Sequence, residues 1–275
     1  MAEPQEFKVE TTHGTLAVST IGSGSPAVLL IHGNSSCKKI FRHIINSSIS
    51  NTHQIIAFDL PGHGDSSNAP NLEADYTQPA YADAAVQLLD KLEVKEAVVV
   101  GWSLGGHIGM EMIPIFPGLK GLVITGTPPV DLGELDLGFK FGPGGWRDAM
   151  AAKEVLSPEE IEGFAHGSAD PPYEDWMKEA VVRTDGRARS IMFHGFGKGE
   201  CSSQRELMKQ SDVPIAVVNG ADEPFVNLDW VKKIEYKNLW KGKTVELEGG
   251  LHAPFWGQPD RYVEILEEFL KDVTK

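Results

Sequence analysis

The segment Gly101-Trp-Ser-Leu-Gly105 constrains the fold of this chain more than any other feature. Four apolar residues, Ala97–Val100, precede it as a buried strand would, and a nearly all-apolar helical pattern begins near Leu104. A strand that turns at once into a helix strains the backbone of its corner residue, and small glycine neighbours leave room for that turn. The corner residue is Ser103. We therefore predict that its hydroxyl stands exposed beside a helix N-terminus, where unpaired N–H groups favour an oxyanion.

Other short apolar runs predict further strands. They are continuous rather than alternating, as in strands that are covered on both faces. Segments with helical spacing separate them, notably Pro79–Leu92 and the C-terminal segment that opens at Pro259. Strands that alternate with helices indicate an α/β protein whose central sheet is mostly parallel, with helices on both faces. The predicted strands are Ala27–Ile31, Ile55–Phe58, Ala97–Val100, Leu122–Ile124 and Ile215–Val218.

The alternation of strands and helices stops between Pro128 and Arg189. This stretch is rich in Gly, Pro, Asp and Glu, has no buried-strand pattern, and contains a helix start at Ser157. An insertion of about sixty residues between two strands of one sheet is most simply a helical cap over the sheet edge. We expect a core domain of residues 1–128 and 190–275, with a helical cap of residues 129–189 inserted before the last strands.

Charge and composition exclude several classes of partner. The chain has 275 residues and a formal net charge of −14, so the phosphates of nucleic acid and an anionic membrane surface would repel it. The N-terminal residues lack a secretory signal pattern, and no apolar run approaches the ~20 residues that span a bilayer, so we expect a cytoplasmic protein. Cys37 and Cys201 are too few for a disulfide framework and are expected to be free thiols.

A serine hydroxyl is inert at neutral pH unless a base takes its proton and an acid orients that base. His252 is the candidate base. It follows the strand-like Thr244–Leu247 through two glycines, and a loop at that place can reach back over the sheet edge. Two other histidines have simpler roles: His63 lies in a turn-rich loop, and His107 is expected to be packed and hydrogen-bonded one turn into the helix that follows Ser103.

The orienting acid is predicted to be Glu223 rather than its neighbour Asp222. In proteins of this architecture the acid commonly stands three residues beyond the glycine that ends its strand, and often just before a proline. Counting from Gly220 gives Glu223, and Pro224 follows it. The longer glutamate extends its reach by ~1.5 Å, which a small backbone shift can absorb. Asp222 is expected to be a solvated turn residue.

Two backbone N–H groups should converge near the serine as an oxyanion hole. The N–H of Leu104 is one donor by its position at the helix start. The second is predicted at Asn34, in the loop that follows the strand Ala27–Ile31, where Gly33 lets the backbone approach closely. Nothing in this scheme requires a metal ion or a cofactor.

Several motifs together give the chain a resemblance to α/β-hydrolase-fold enzymes over nearly its whole length. They are "HGNSS", "DLPGHGDSS", "GWSLGGHIG", "GADEPFV" and "GLHAPF", and the chain order Ser103, Glu223, His252 is the one expected for that fold. A closer resemblance, to the N-acyl homoserine lactone hydrolases of this fold, rests on "GWSLGGHIGMEMI", "ITGTPPV", "TDGRARSIMF" and "VVNGADEPFV". This resemblance implies metal-independent opening of a lactone ring, with a glutamate at position 223 as the acid.

An acyl chain requires an apolar pocket, which large apolar side chains would wall. Individually, each such side chain is also compatible with ordinary packing in the cap or core. In "TDGRAR", Arg187 or Arg189 could position the substrate, but both are expected to be surface residues. The candidate substrate-binding residues are Gly33, Trp102, Trp146, Met150, Phe164 and Phe225, with Trp176 and Met177 as further wall residues.

Several alternatives stay open at this point. A serine at the strand-to-helix turn counts against haloalkane dehalogenases and epoxide hydrolases, which use a carboxylate there, and the H-x-H-x-D-H cluster of metallo-lactonases is absent from the sequence. A general carboxylesterase, or another lactonase, could use the same three residues. A receptor could bind a lactone with slow or no turnover. The oligomeric state and the preferred acyl-chain length are not determined by these motifs.

Overall fold

The computed structural model describes residues 3–141, 149–169 and 171–274. Among them, eight strands form one sheet with the spatial order β1-β2-β4-β3-β5-β6-β7-β8. From β3 to β8 every pairing is parallel, which confirms the predicted α/β class. The strands are β1 Gln5–Thr11, β2 Gly14–Ile21, β3 Ala27–Ile31, β4 Ile55–Phe58, β5 Ala97–Trp102, β6 Leu119–Thr125, β7 Ile215–Gly220 and β8 Val245–Leu247.

The N-terminal hairpin was not expected from the sequence. Strands β1 and β2 pair antiparallel, β2 also pairs antiparallel with β4, and β1 is the edge strand of the sheet. Strand β1 is mostly exposed, with charged residues such as Glu6 and Lys8 along it, so it lacks the continuous apolar run that marks the central strands.

Helices cover both faces of the sheet, and short 3-10 turns occur at Lys38–Phe41, Ser48–Asn51, Met150–Ala152 and Trp240–Gly242. No helix in the described ranges is both long and apolar enough to cross a lipid bilayer. The α-helices are α1 Arg42–Ile45, α2 Leu72–Asp75, α3 Gln78–Lys91, α4 Leu104–Met112, α5 Leu135–Gly138, α6 Pro158–Ser168, α7 Asp175–Arg183, α8 Gly186–Gly197, α9 Gln204–Gln210, α10 Leu228–Val231, α11 Pro254–Gly257 and α12 Pro259–Val273.

The core lies on both sides of the sheet, because the central strands are buried on both faces. In β3, Leu29 points into the layer that contains Leu88 of α3, whereas Leu30 points into the layer that contains Phe269 of α12. All five residues of β3 are buried. A strand placed in this way needs apolar side chains at successive positions, which is the continuous pattern seen in the sequence.

Among its described residues, the segment between β6 and β7 contains no strand of the sheet and carries the helices α5 to α9. Helix α6 begins with a capping box in which the Ser157 hydroxyl accepts from the Glu160 N–H and the Glu160 carboxylate accepts from the Ser157 N–H. Residue 189, the predicted end of the cap, lies inside α8. The cap limits of 129 and 189 therefore stay a prediction, and the helical layer continues beyond the second of them.

Candidate active site

Ser103 occupies the sharp turn between β5 and α4. Its backbone angles, φ 53° and ψ −118°, lie outside the ordinary regions for a non-glycine residue, and its N–H donates to the Thr125 carbonyl oxygen at 2.8 Å. The turn is possible because a glycine stands two positions before Ser103 and another two positions after it. A Cβ on Gly105 would lie 1.9 Å from the Ile31 carbonyl oxygen, and one on Gly101 would lie 2.3 Å from the Gly105 carbonyl oxygen.

His252 and Glu223 form a buried hydrogen-bonded pair. The His252 Nδ1 lies 2.8 Å from Glu223 Oε2 and 3.0 Å from Oε1. Glu223 follows β7, and His252 follows β8, so adjacent parallel strands bring the two loops together at the carboxyl edge of the sheet. With Nδ1 engaged by the carboxylate, Nε2 is the ring nitrogen that is available to a substrate-side group.

The Glu223 carboxylate is fixed by further donors. Its Oε1 accepts from the Phe225 N–H at 2.8 Å and from the Val226 N–H at 3.3 Å. Burial opposes ionisation, but the His252 imidazole and these N–H groups together hold the pKa of Glu223 below its ordinary value. Asp222, the rejected alternative, is exposed. The structure therefore pairs His252 with the glutamate.

His252 is also held through its backbone and its ring. The Trp102 indole nitrogen donates to the His252 carbonyl oxygen at 3.0 Å, and the Phe225 ring meets the imidazole edge-on with centroids 5.0 Å apart. Ser103 and His252 line one cavity. Within the described residues no hydrogen bond joins the Ser103 hydroxyl to the imidazole, a common state for such pairs before substrate binds.

Two backbone N–H groups near Ser103 are positioned to donate hydrogen bonds to an anion. In the described part of the chain, neither the Asn34 N–H nor the Leu104 N–H donates to another protein group. Asn34 is anchored from its side chain, because its Nδ2 donates to the Ala151 carbonyl oxygen at 2.9 Å. Gly33 brings this loop against the turn, since a Cβ there would lie 2.9 Å from the Trp102 ring and 3.1 Å from Ser103 Cβ.

A cavity of about 380 Å³ opens on Ser103 and His252. Of the wall residues expected from the sequence, Trp102, Met150, Phe164 and Phe225 line it. Sequence reasoning missed a second group of lining residues, because they become neighbours only when α3, α4, α8 and the segment after α5 pack around the cavity. They are Gln78, His107, Phe139, Phe141, Met192, Phe193 and Phe196.

The remaining expected wall residues are placed elsewhere or are not described. Trp146 lies outside the described residues. Gly33 packs beneath Trp102 rather than on the cavity wall. Trp176 stacks edge-on against Trp256 with centroids 5.5 Å apart, and Met177 belongs to the buried core on that side of the sheet.

Arg187 lies at the surface as expected, but the expectation of a surface position for Arg189 is wrong. Arg187 is exposed and pairs with Asp185 at 2.7 Å. Arg189 is buried, and its guanidinium donates to the carbonyl oxygens of Lys153 and Glu154 at 2.9 and 3.1 Å. It was misplaced because a single arginine in a polar run gives no sign of the carbonyl groups that enclose it. Its role here is to fix the segment that enters α6.

The sequence expectations also cover the two cysteines and the potential metal-ligating side chains. Cys37 and Cys201 are free thiols, as predicted. Within the ranges that the structure describes, no three or more His, Cys, Asp or Glu side chains are grouped as metal ligands would be.

Residues 26–259 match the family model of the alpha/beta hydrolase fold, and the chain belongs to that family. The fold class and the family resemblance inferred from the sequence motifs are thereby confirmed. The chain is similar to the N-acyl homoserine lactonase AidH, with 44% identity and a TM-score of 0.94 over 99% of this chain and 98% of that one. That AidH structure, of a mutant, is complexed with N-hexanoyl homoserine, and another AidH structure is complexed with N-butanoyl homoserine.

Two more distant matches are named as esterases. A pimeloyl-[acyl-carrier protein] methyl ester esterase of Xanthomonas oryzae pv. oryzae is 24% identical over 265 residues, which cover 93% of this chain and 99% of that protein. The esterase RhEst1 from a Rhodococcus species has a TM-score of 0.72 at 21% identity, over 99% of this chain and 100% of that one. The second likeness shows the shared fold alone.

Proposed function

We propose that this protein opens the lactone ring of N-acyl homoserine lactones, with Ser103 as nucleophile, His252 as general base and Glu223 as orienting acid. The observation that carries the proposal is the 44% identity to the lactonase AidH over nearly the whole of both chains. The geometry of the candidate site supports it, because a half-buried serine, a histidine–glutamate pair and an apolar cavity meet at one edge of the sheet.

The reaction begins when a lactone carbonyl carbon lies against the Ser103 hydroxyl. The hydroxyl turns toward His252 Nε2, which takes its proton as Oγ attacks the carbonyl, and the Glu223 carboxylate stabilises the imidazolium through Nδ1–H. The Asn34 and Leu104 N–H groups donate to the resulting oxyanion. One such donor typically stabilises the transition state of a serine hydrolase by ~3 kcal/mol.

Ring opening and hydrolysis complete the cycle. The tetrahedral intermediate collapses, the bond to the ring oxygen breaks, and His252 Nε2 returns the proton to that oxygen as it becomes an alcohol. The acyl group is then esterified to Ser103. His252 next takes a proton from water, the hydroxide attacks the ester, and the N-acyl homoserine carboxylic acid leaves as the Ser103 hydroxyl re-forms.

The cavity suits the acyl chain of such a substrate. Aromatic and thioether side chains from the segment 129–189 and from α8 wall it, including Met150, Phe164 and Phe193. We propose that residues 129–189 act as a cap that encloses the acyl chain while the lactone ring lies at Ser103. The substrate is accordingly a small acyl lactone rather than a polymer.

The test is incubation of the purified protein with N-butanoyl, N-hexanoyl and N-decanoyl homoserine lactone, followed by mass spectrometry. The proposal predicts a product heavier than the substrate by one water, which closes again to the lactone on acidification. Free homoserine lactone would show an acylase instead. Hydrolysis of simple aryl or methyl esters without action on any of the lactones would support a general carboxylesterase, and tight binding without product would support a receptor.

A further inference from the structure

The cavity contains a polar pair that the proposed hydrolysis does not use. Gln78 at the start of α3 and His107 of α4 both line it, among the rings of Phe139 and Phe196, which lie 6.0 and 5.3 Å from the His107 ring. Both polar side chains are buried. Buried polar groups need hydrogen-bond partners. The donors and acceptors of this pair that the protein leaves unpaired therefore indicate which groups a ligand must offer.

Gln204, which does not itself line the cavity, is hydrogen-bonded to both His107 and Gln78. The His107 Nδ1 lies 2.8 Å from Gln204 Oε1, and Gln204 Nε2 lies 3.2 Å from Gln78 Oε1. The other end of the Gln78 amide has a weak partner, the Met192 sulfur at 3.9 Å. Among the described residues, His107 Nε2 has no hydrogen-bond partner. It is not completely buried, as the unpaired His63 Nε2 is, so we take it to be accessible from the cavity that His107 lines.

The hydrogen bonds that link His107, Gln204 and Gln78 determine which donor and acceptor groups His107 and Gln78 present to a ligand. Burial lowers the pKa of His107 to about 4, so the ring is neutral near pH 7 and carries one N–H. If Nδ1 carries the proton, Gln78 offers an N–H and His107 Nε2 offers a lone pair. If both amides are reversed, Gln78 offers its oxygen and His107 offers Nε2–H. Either arrangement leaves one donor and one acceptor for the cavity.

The spacing of Ser103 and His107 along α4 matches the length of the substrate up to the third carbon of its acyl chain. His107 lies one helical turn after Ser103, about 6 Å along the helix axis at 1.5 Å per residue, and its N–H points back to the Ser103 carbonyl oxygen. In an extended N-acyl homoserine lactone, the third carbon of the acyl chain lies about 6 Å from the lactone carbonyl carbon at ordinary bond lengths. An acyl chain that runs from Ser103 along α4 would therefore bring its second and third carbons to the polar pair.

We infer that Gln78 and His107 form a subsite that selects acyl chains with a hydroxyl group on the third carbon. A hydroxyl group both donates and accepts, so it satisfies both members of the pair. A keto group can accept from one member, and an unsubstituted chain offers a hydrogen bond to neither. This inference rests on the proposed lactonase function and specifies the substrate that the site prefers.

The experiment compares kcat/KM for N-(3-hydroxyhexanoyl), N-(3-oxohexanoyl) and N-hexanoyl homoserine lactone. Wild-type protein should favour the hydroxylated substrate over N-hexanoyl homoserine lactone by about tenfold, with the keto substrate between them. Gln78→Met, which keeps the length of the side chain, should bring the ratio close to one, and His107→Leu should do the same. Because the two rates of the ratio come from one preparation, a loss of folded protein does not alter it.

Gln87→Met is the matched control. Gln87 lies on the same helix, but its amide bonds Thr12 and Asp83 away from the cavity, so the ratio should stay at its wild-type value. A wild-type ratio near one, or an equal ratio in wild type and Gln78→Met, would overturn the subsite. If wild type hydrolysed none of the three, the proposed function would fail. Calorimetry would then measure the Kd of the same three compounds. A lower Kd for the hydroxylated compound would support the subsite, and equal Kd values would overturn it.

Discussion

The indole nitrogen of Trp102 donates a hydrogen bond to the backbone carbonyl oxygen of His252 at 3.0 Å. Trp102 immediately precedes Ser103, and it is almost fully buried. The bond therefore ties the turn that carries the proposed nucleophile to the loop that carries the proposed base. In the proposed mechanism, the position of the imidazole depends on this contact as well as on Glu223.

Trp102→Phe should lower kcat by about tenfold, because the ring packing remains while the His252 loop loses its anchor to the turn. Steady-state kinetics with N-hexanoyl homoserine lactone measures the change. Trp240→Phe is the control, since it removes a comparable indole bond, to Asp272 at 3.0 Å, far from the cavity. An equal effect of the two substitutions on kcat would contradict the role assigned to Trp102.

Glu223→Gln should lower kcat on the order of 10³-fold or more, because an amide no longer stabilises the imidazolium or holds its tautomer. Asp222→Asn makes the same chemical change at the exposed neighbour and should leave kcat near the wild-type value. Thermal unfolding of both variants separates catalysis from folding. If Asp222→Asn were the damaging change, the acid would be wrongly assigned.

Gly33→Ala should lower kcat by about 10- to 100-fold, because its Cβ would meet the Trp102 ring at 2.9 Å and displace the loop that carries Asn34. The KM should change less than kcat, since Gly33 does not line the cavity. Measuring the two constants separately checks this, and a rise in KM with an unchanged kcat would argue against an oxyanion donor in this loop.

The free energy of unfolding should fall as the pH drops below about 6.5. Burial lowers the pKa of His63 to about 3, and that of His107 to about 4, whereas a histidine in the unfolded chain titrates near 6.5. Between the folded-state and unfolded-state pKa values, the unfolded chain binds more protons than the folded one. The stability contributed by the two neutral histidines is therefore complete above about pH 6.5 and is lost as the pH falls toward their folded-state pKa values.

Urea unfolding at about pH 7.5 and about pH 5.8 measures this dependence. His63→Phe keeps a ring in the same place but removes one proton-binding group, so it should give a shallower loss of stability over that interval. An equal pH dependence in wild type and His63→Phe would mean that His63 is not buried in its neutral form.

Features that depend on local sequence could be predicted, and those that depend on distant packing could not. The strand-to-helix turn at Ser103, the five central strands and the pairing of Glu223 with His252 follow from apolar runs, glycine spacing and a count from a strand end. The hairpin of β1 and β2 escaped prediction because an exposed edge strand has no continuous apolar run. Arg189 and the polar pair of Gln78 and His107 were not identified, since each acquires its surroundings from segments far away in the chain.

The central claim is that the Ser103 hydroxyl attacks the lactone carbonyl. Its most direct test is the rate of N-hexanoyl homoserine lactone opening by Ser103→Ala, measured beside wild type, with thermal unfolding to show that both are folded. The account predicts a fall in kcat/KM of about 10⁴-fold or more. Hydrolysis by a folded Ser103→Ala protein at a rate close to that of wild type would contradict it.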